Sequence, residues 1–161
     1  MSKSARRQGG FTLIELVVVI VILGILAAFA VPRFARLDGQ ARTSSVRALE
    51  GSLRSSTALA HSLWLAAGNN PATVAMEGGG NIDMTAFGYP APVVNTGVQR
   101  SLAQGAIGNG PGQFTVAVGA AANSLTFSLN SAPNAGARCR VTYTAAANAV
   151  PNIVPDVGIC Q

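Results

Sequence analysis

Residues 11 to 31 read FTLIELVVVIVILGILAAFAV, a run of 21 positions whose polar side chains are Thr12 and Glu15 alone. As a helix this run is roughly 31 Å long, enough to cross the apolar slab of a bilayer. Beyond Pro32 the pattern becomes amphipathic. Phe34, Leu37, Ala41, Leu49, Leu53 and Ala60 fall close to one stripe. Arg36, Gln40, Thr43, Arg47, Glu50 and Arg54 form another, at steps of three and four. The pattern predicts one helix from Phe11 to about Ala67, roughly 85 Å long and far more than a globular core can bury. Its first part must therefore be covered by lipid or by other subunits. Arg47, Glu50 and Arg54 are spaced for local ion pairs worth a few tenths of a kcal/mol, so they read equally as a solvated face or as a subunit contact.

AAGNNP ends the helix, and residues 68 to 113 are rich in Gly, Asn and Pro, as in EGGGN and GNGPG, which predicts mostly loop. Three alternating segments follow. Phe114, Val116 and Val118, then Leu125, Phe127 and Leu129, then Cys139, Val141 and Tyr143 each place apolar side chains on one side of a strand. Gly119 to Ser124 and Asn130 to Ala137 are the turns between them. The expected fold class is α+β, a long N-terminal helix whose amphipathic part packs on a small antiparallel sheet at about 114 to 145.

Composition narrows the classes. The chain has 161 residues, one domain's worth, with 49% hydrophobic and only 11% charged residues, against roughly 25% charged in ordinary globular domains. A secreted or assembled surface protein fits this balance. The formal charge of +5 is mostly leader: removing Lys3, Arg6 and Arg7 from the 11 basic residues leaves 8 against 6 acidic ones, or +2. Lys3 is the only lysine, which excludes a lysine-dependent phosphate loop and leaves Gly108, Gly110 and Gly112 as turn residues. Arg100, Arg138 and Arg140, set among strands and loops, read as solubility and local pairing, with no specific nucleic acid expected. His61 is the only histidine, and Asp38, Glu50, Glu77, Asp83 and Asp156 show no paired spacing for acid and base chemistry. Neither an enzyme, nor a cofactor, nor a metal site is expected.

A conventional secretory signal is the plain alternative for the N-terminus, since Ala28-Phe29-Ala30 offers a small-x-small cleavage site. Its product would be a monomeric secreted binding module. Against it stand the length of the apolar run and Glu15, because a carboxylate in a membrane helix costs about 2.5 to 3.5 kcal/mol at the bilayer centre and less near an interface. Gly24 and Pro32 punctuate the same helix; the proline removes a backbone donor and crowds the preceding turn.

RRQGG followed by FTLIELVVVIVILGILAAFAVPRF resembles the N-terminus of a type IV pilin precursor. The resemblance implies a leader of residues 1–10 removed by a membrane-embedded prepilin peptidase between Gly10 and Phe11, with Phe11 then N-methylated. Residues 11–31 become the transmembrane and filament-core helix, 32–67 the amphipathic helix and 68–161 the globular head. Glu15 becomes the acidic position that pairs with the N-terminal amine of a neighbouring subunit. Amine and carboxylate are each costly in a dry bundle, and each supplies what the other lacks. The resemblance also implies a hinge from Gly24 to Pro32 that unwinds in the filament, against the plain reading of an ordinary kinked helix. In an exported chain the two cysteines, Cys139 and Cys160, are most simply a disulfide, and many type IV pilins close a C-terminal loop this way.

Within that family AFGYPAP and CRVTYTAAANAVP, with a Cys near the terminus, resemble the mannose-sensitive haemagglutinin pilin group. A type II secretion pseudopilin, whose major form typically carries a calcium site of clustered acids, and a minor pilin are the alternatives. The implied function is structural: a homo-oligomeric helical filament, raised from an inner-membrane pool by assembly machinery to the bacterial surface, for adhesion, attachment or motility. Mass spectrometry of the mature protein is expected to find N-methyl-Phe11 as the first residue; a chain starting at Val31 would instead establish the conventional signal.

Overall fold

In a computed structural model of the protein, residues 10–76, 80–102, 113–132, 139–146, 149–158 and 160 are described, apart from the side chains of 35 and 36. The leader residues before Gly10, Glu77, the GNGPG loop, Arg138 and the side chain of Arg36 lie outside these residues. The chain divides into two compact units, one ending at Leu37 and one beginning at Asp38.

The first unit is helical. α1 spans Leu13–Ala67 and runs without a break through Gly24 and Pro32. Pro32 cannot donate to the carbonyl four residues back, a loss the helix carries at a cost of about 3 kcal/mol. From Phe11 to Val31 the large apolar side chains are exposed. A window of 18 residues is long and apolar enough to cross a membrane, and none of it is buried.

The second unit begins with the remainder of α1. Its buried stripe is Val46, Leu49, Leu53, Thr57 and Ala60, a run of threes and fours that keeps one helix face inward. Phe34 and Leu37, expected on that stripe, are exposed, as is Ala41. They continue the periodicity, but the buried core takes its helical residues only from Val46 on. Gly68, Asn69 and Asn70 all have positive φ, so AAGNNP ends the helix through left-handed residues.

Two sheets follow. β1 (Thr73–Met76) and β2 (Gly80–Asp83) pair antiparallel, inside the stretch whose composition predicts loop. Four-residue strands among glycines and asparagines leave too little alternation to register as a pattern. Val74 and Ile82 from this hairpin join Ala60 in a small core, with Leu63, Trp64, Met76 and Met84 against it.

The larger sheet comprises β3 (Phe114–Val118), β4 (Ser124–Leu129), β5 (Arg140–Thr144) and β6 (Asn152–Asp156), antiparallel in that order. The three expected strands are present. Val118, expected on the inner face, is 76% exposed at the strand end. β6 extends the sheet beyond its expected limit of about 145; with prolines in and before it, the segment reads as loop, yet an edge strand tolerates proline. At the β3–β4 turn the Gly119 N–H donates to the Ser124 carbonyl at 2.9 Å. A Cβ on Gly119 would lie 2.1 Å from Ser124 Oγ, so a larger residue there requires the Ser124 hydroxyl to move.

The main core joins Val46, Leu49 and Leu53 of α1 to Phe114, Leu125, Phe127, Val141, Tyr143 and Ile153 of the sheet. Tyr143 is fully buried, and its hydroxyl donates to the Pro90 carbonyl at 2.7 Å, so the AFGYPAP segment is tied across the sheet. Burial, with Tyr89 nearby, pushes the Tyr143 phenol well above its ordinary value. The unfolded tyrosine ionises near pH 10, whereas the folded one resists. Stability from this group is therefore complete below about pH 10 and lost as pH rises through and beyond it. Tyr143→Phe is expected to cost about 1 to 3 kcal/mol at neutral pH, because the Pro90 carbonyl loses its donor. It is also expected to flatten the alkaline loss, as followed by urea melts in detergent micelles from about pH 8 to about pH 11.

Candidate assembly and processing site

Gly10, Phe11 and Thr12 precede the helix in non-helical backbone, and Phe11 is 94% exposed. The bond between Gly10 and Phe11 is thus free of helical hydrogen bonding. Immediately after it Thr12 and Glu15 cap α1 reciprocally. The Thr12 N–H and hydroxyl donate to Glu15 Oε2 at 2.8 and 2.7 Å, and the Glu15 N–H points back at Thr12 Oγ1 at 3.4 Å. This is the capping box, a hydroxyl residue followed three positions later by an acid, which satisfies donors that a helix start leaves open and sets a carboxylate on the positive end of the helix. The T-x-x-E signature stands in the sequence, but Thr12 is missed when Glu15 is read only for its charge. Both bonds to the carboxylate fall on Oε2, and among the described residues no bond to Oε1 is seen.

The other expected residues lie elsewhere. Gly24 and Pro32 sit within the continuous helix. Cys139 and Cys160 are joined, 5.0 Å apart at Cα and both buried. Closing that 21-residue separation contributes on the order of 3 kcal/mol. Arg42 extends the tie: its guanidinium pairs with Asp38 one turn earlier, and Nη1 donates to the Cys160 carbonyl at 3.4 Å. Glu50 and Arg54 pair at 2.9 Å as their spacing suggests, and Arg54 also donates to the Ile153 carbonyl at 3.0 Å.

His61 is structural. Its Nδ1 lies 2.8 Å from the Gly88 carbonyl; a carbonyl only accepts, so this nitrogen carries the proton. The ring stacks on Tyr89 at 4.2 Å between centroids. Gly88 has φ +76, and a Cβ there would lie 2.3 Å from Trp64 Cε3, which explains the glycine of AFGYPAP. Arg100, read as a solubility and local-pairing residue, donates to the Asn81 carbonyl at 3.3 Å.

Comparison with known proteins supports the N-terminal reading. The prokaryotic N-terminal methylation motif matches residues 5–31. Over 54 residues the chain is 56% identical to the type IV narrow pilus major component PilA5 of Thermus thermophilus, covering 34% of this chain and 47% of that protein. It is 44% identical over 71 residues to the type IV major pilin protein PilE1 of Neisseria gonorrhoeae, covering 42% and 32%. It is 47% identical over 55 residues to the type II secretion system core protein G of Vibrio cholerae, covering 32% and 38%. The chain thus spans less than half the length of these curated relatives. No solved structure matches it. The chain carries the methylation motif and is homologous to type IV pilins and to type II secretion protein G, with an α+β fold to match.

Thr12→Ala removes the cap while leaving Glu15 in place. It is expected to weaken the first turn of α1 by about 1 kcal/mol, read as roughly fivefold faster amide hydrogen exchange at residues 16 to 18 in micelles, where the intrahelical bonds begin.

Proposed function

We propose that this chain is the structural subunit of a type IV pilus, closest in kind to the mannose-sensitive haemagglutinin pilins. The observation that carries the proposal is an exposed, all-round apolar helix start that lies within the match to the methylation motif, with a carboxylate in its first turn. Prepilin peptidase cuts between Gly10 and Phe11 and the Phe11 amine is methylated; the non-helical lead-in supports this, since a protease reads extended chain. Residues 1–10 are then leader, 11–31 the membrane and filament-core segment, 32–67 the amphipathic helix and 68–161 the head.

The precursor resides in the inner membrane, lipid covering residues 11–31. The assembly machinery transfers it into a homo-oligomeric filament on the bacterial surface, where other copies replace the lipid. Its role is structural and not enzymatic, and the filament serves adhesion, attachment or motility. At the docking step Glu15 Oε1 accepts the Phe11 amine of a neighbour while Oε2 keeps the Thr12 cap, so the carboxylate need not leave its own helix to fix the register of the next. Buried pairs of this kind are best attested as register devices. Gly24 and Pro32 bound the segment that loosens on packing. The likeness to protein G, over 55 residues, also admits a pseudopilus; the disulfide tying the tail to β5 favours the pilus.

Glu15→Val is expected to leave membrane insertion and leader cleavage unchanged on immunoblots and to abolish surface filaments in electron micrographs. Filaments in normal number from this variant would refute the docking role of Glu15.

A further inference from the structure

The larger sheet has two edge strands, β3 and β6, and the hydrogen-bonding direction of β6 follows from its neighbours. The Leu129 N–H donates to the Cys139 carbonyl and the Ala145 N–H to the Asn123 carbonyl, so odd-numbered residues of β5 face β4. By the alternation of an antiparallel ladder, Arg140, Thr142 and Thr144 face β6, where they pair with Asp156, Val154 and Asn152. The backbone groups of Ile153 and Pro155 therefore point away from the sheet, and Pro151 falls in the same alternation just ahead of the strand.

That outward row is poor in the groups another strand requires. Pro151 and Pro155 have no N–H, which leaves Ile153 as the one donor among the three. The Ile153 carbonyl accepts from Arg54 Nη2 at 3.0 Å, and Arg54 is itself held by Glu50 through Nε and Nη2 at 3.0 and 2.9 Å. Thr57, Ala58 and His61 of α1 lie beside the edge, sharing with Pro151 and Ile153 the walls of a groove of about 280 Å³. Proline at outward positions, a charged side chain on the edge and a helix alongside are three separate means by which sheet edges are kept from pairing.

We propose that Pro151, Pro155 and the Arg54 to Ile153 contact close the β6 edge against strand addition from a second copy of this chain. Copies brought to high local density then meet without zipping together through β6, and whatever assembly the protein enters must use other surfaces than this edge. This inference is independent of the filament reading, because it concerns only the compact unit that begins at Asp38.

The test uses the full chain in detergent micelles, comparing the wild type with a combined Arg54→Gln, Pro151→Thr and Pro155→Val variant. Leu125→Ala serves as a control that weakens the same sheet from its core. The wild type is expected to keep its monomer peak in size exclusion with baseline thioflavin T fluorescence. The combined variant is expected to lose that peak and gain thioflavin T fluorescence, with Leu125→Ala remaining monomeric under the same conditions. A combined variant that stays monomeric overturns the proposal. So does a Leu125→Ala variant that aggregates to the same extent, since destabilisation alone would then account for the effect.

Discussion

An α-helix apolar on every side satisfies its backbone internally but has no face to offer water, and apart from Glu15 the stretch from Leu13 to Val31 is of this kind. Burying one such Leu, Val or Ile is worth about 1.5 to 3 kcal/mol, so the sum over the stretch exceeds the net stability of an ordinary domain. Among the described residues none of this stretch is buried. Lipid, and in the proposed filament neighbouring copies, are coverings that suit such a surface, and the remaining features are compatible with exchanging one for the other.

Where α1 does find partners, it binds the head through polar contacts as well as through its apolar stripe. Arg42 reaches the Cys160 carbonyl, Arg54 the Ile153 carbonyl, Ser101 the Ser56 hydroxyl, His61 the Gly88 carbonyl, and Trp64 the Pro71 carbonyl. Each contact satisfies a group of a different head segment: the disulfide-closed tail, the edge strand, two parts of the connection between the sheets, and the loop that follows the helix. A half-buried hydrogen bond is worth about 1 kcal/mol net, but a buried carbonyl without a donor costs more than that. These contacts therefore choose where each segment lies more than they hold the head together. The Val46, Leu49 and Leu53 stripe and the disulfide carry the larger part of the energy.

The N-terminal carboxylate has two partners to reconcile. In the protomer Glu15 is engaged by Thr12 through a single oxygen, which stabilises the helix start and lowers the cost of carrying an acid in an apolar segment. The proposed docking amine is the chain terminus created by leader removal, so it does not exist in the precursor. A capped carboxylate is thus a resting state compatible with the proposed pairing, in which helix stability and subunit register would depend on the same side chain.

Much of this was legible in the sequence because it depends on local pattern. The unbroken apolar run, the change to a three-and-four spacing after Pro32, the stop at Gly68 and the alternation in β3, β4 and β5 are periodicities that neighbouring residues reveal on their own. The T-x-x-E cap was equally legible, though a glutamate read for its charge alone hides it. What the sequence could not show depends on distant partners. Val74 and Ile82 become core only because Ala60 and Trp64 lie against them, and β6 is a strand despite its prolines because β5 offers it a ladder on one side only. Phe34 and Leu37 keep the helical period yet stay exposed, since periodicity specifies which residues share a face and not how far the opposing sheet extends. The sequence by itself determined the elements and the demand for an external covering. Only the tertiary structure decided where the core stops and which edge is closed, because both depend on contacts between residues far apart in the chain.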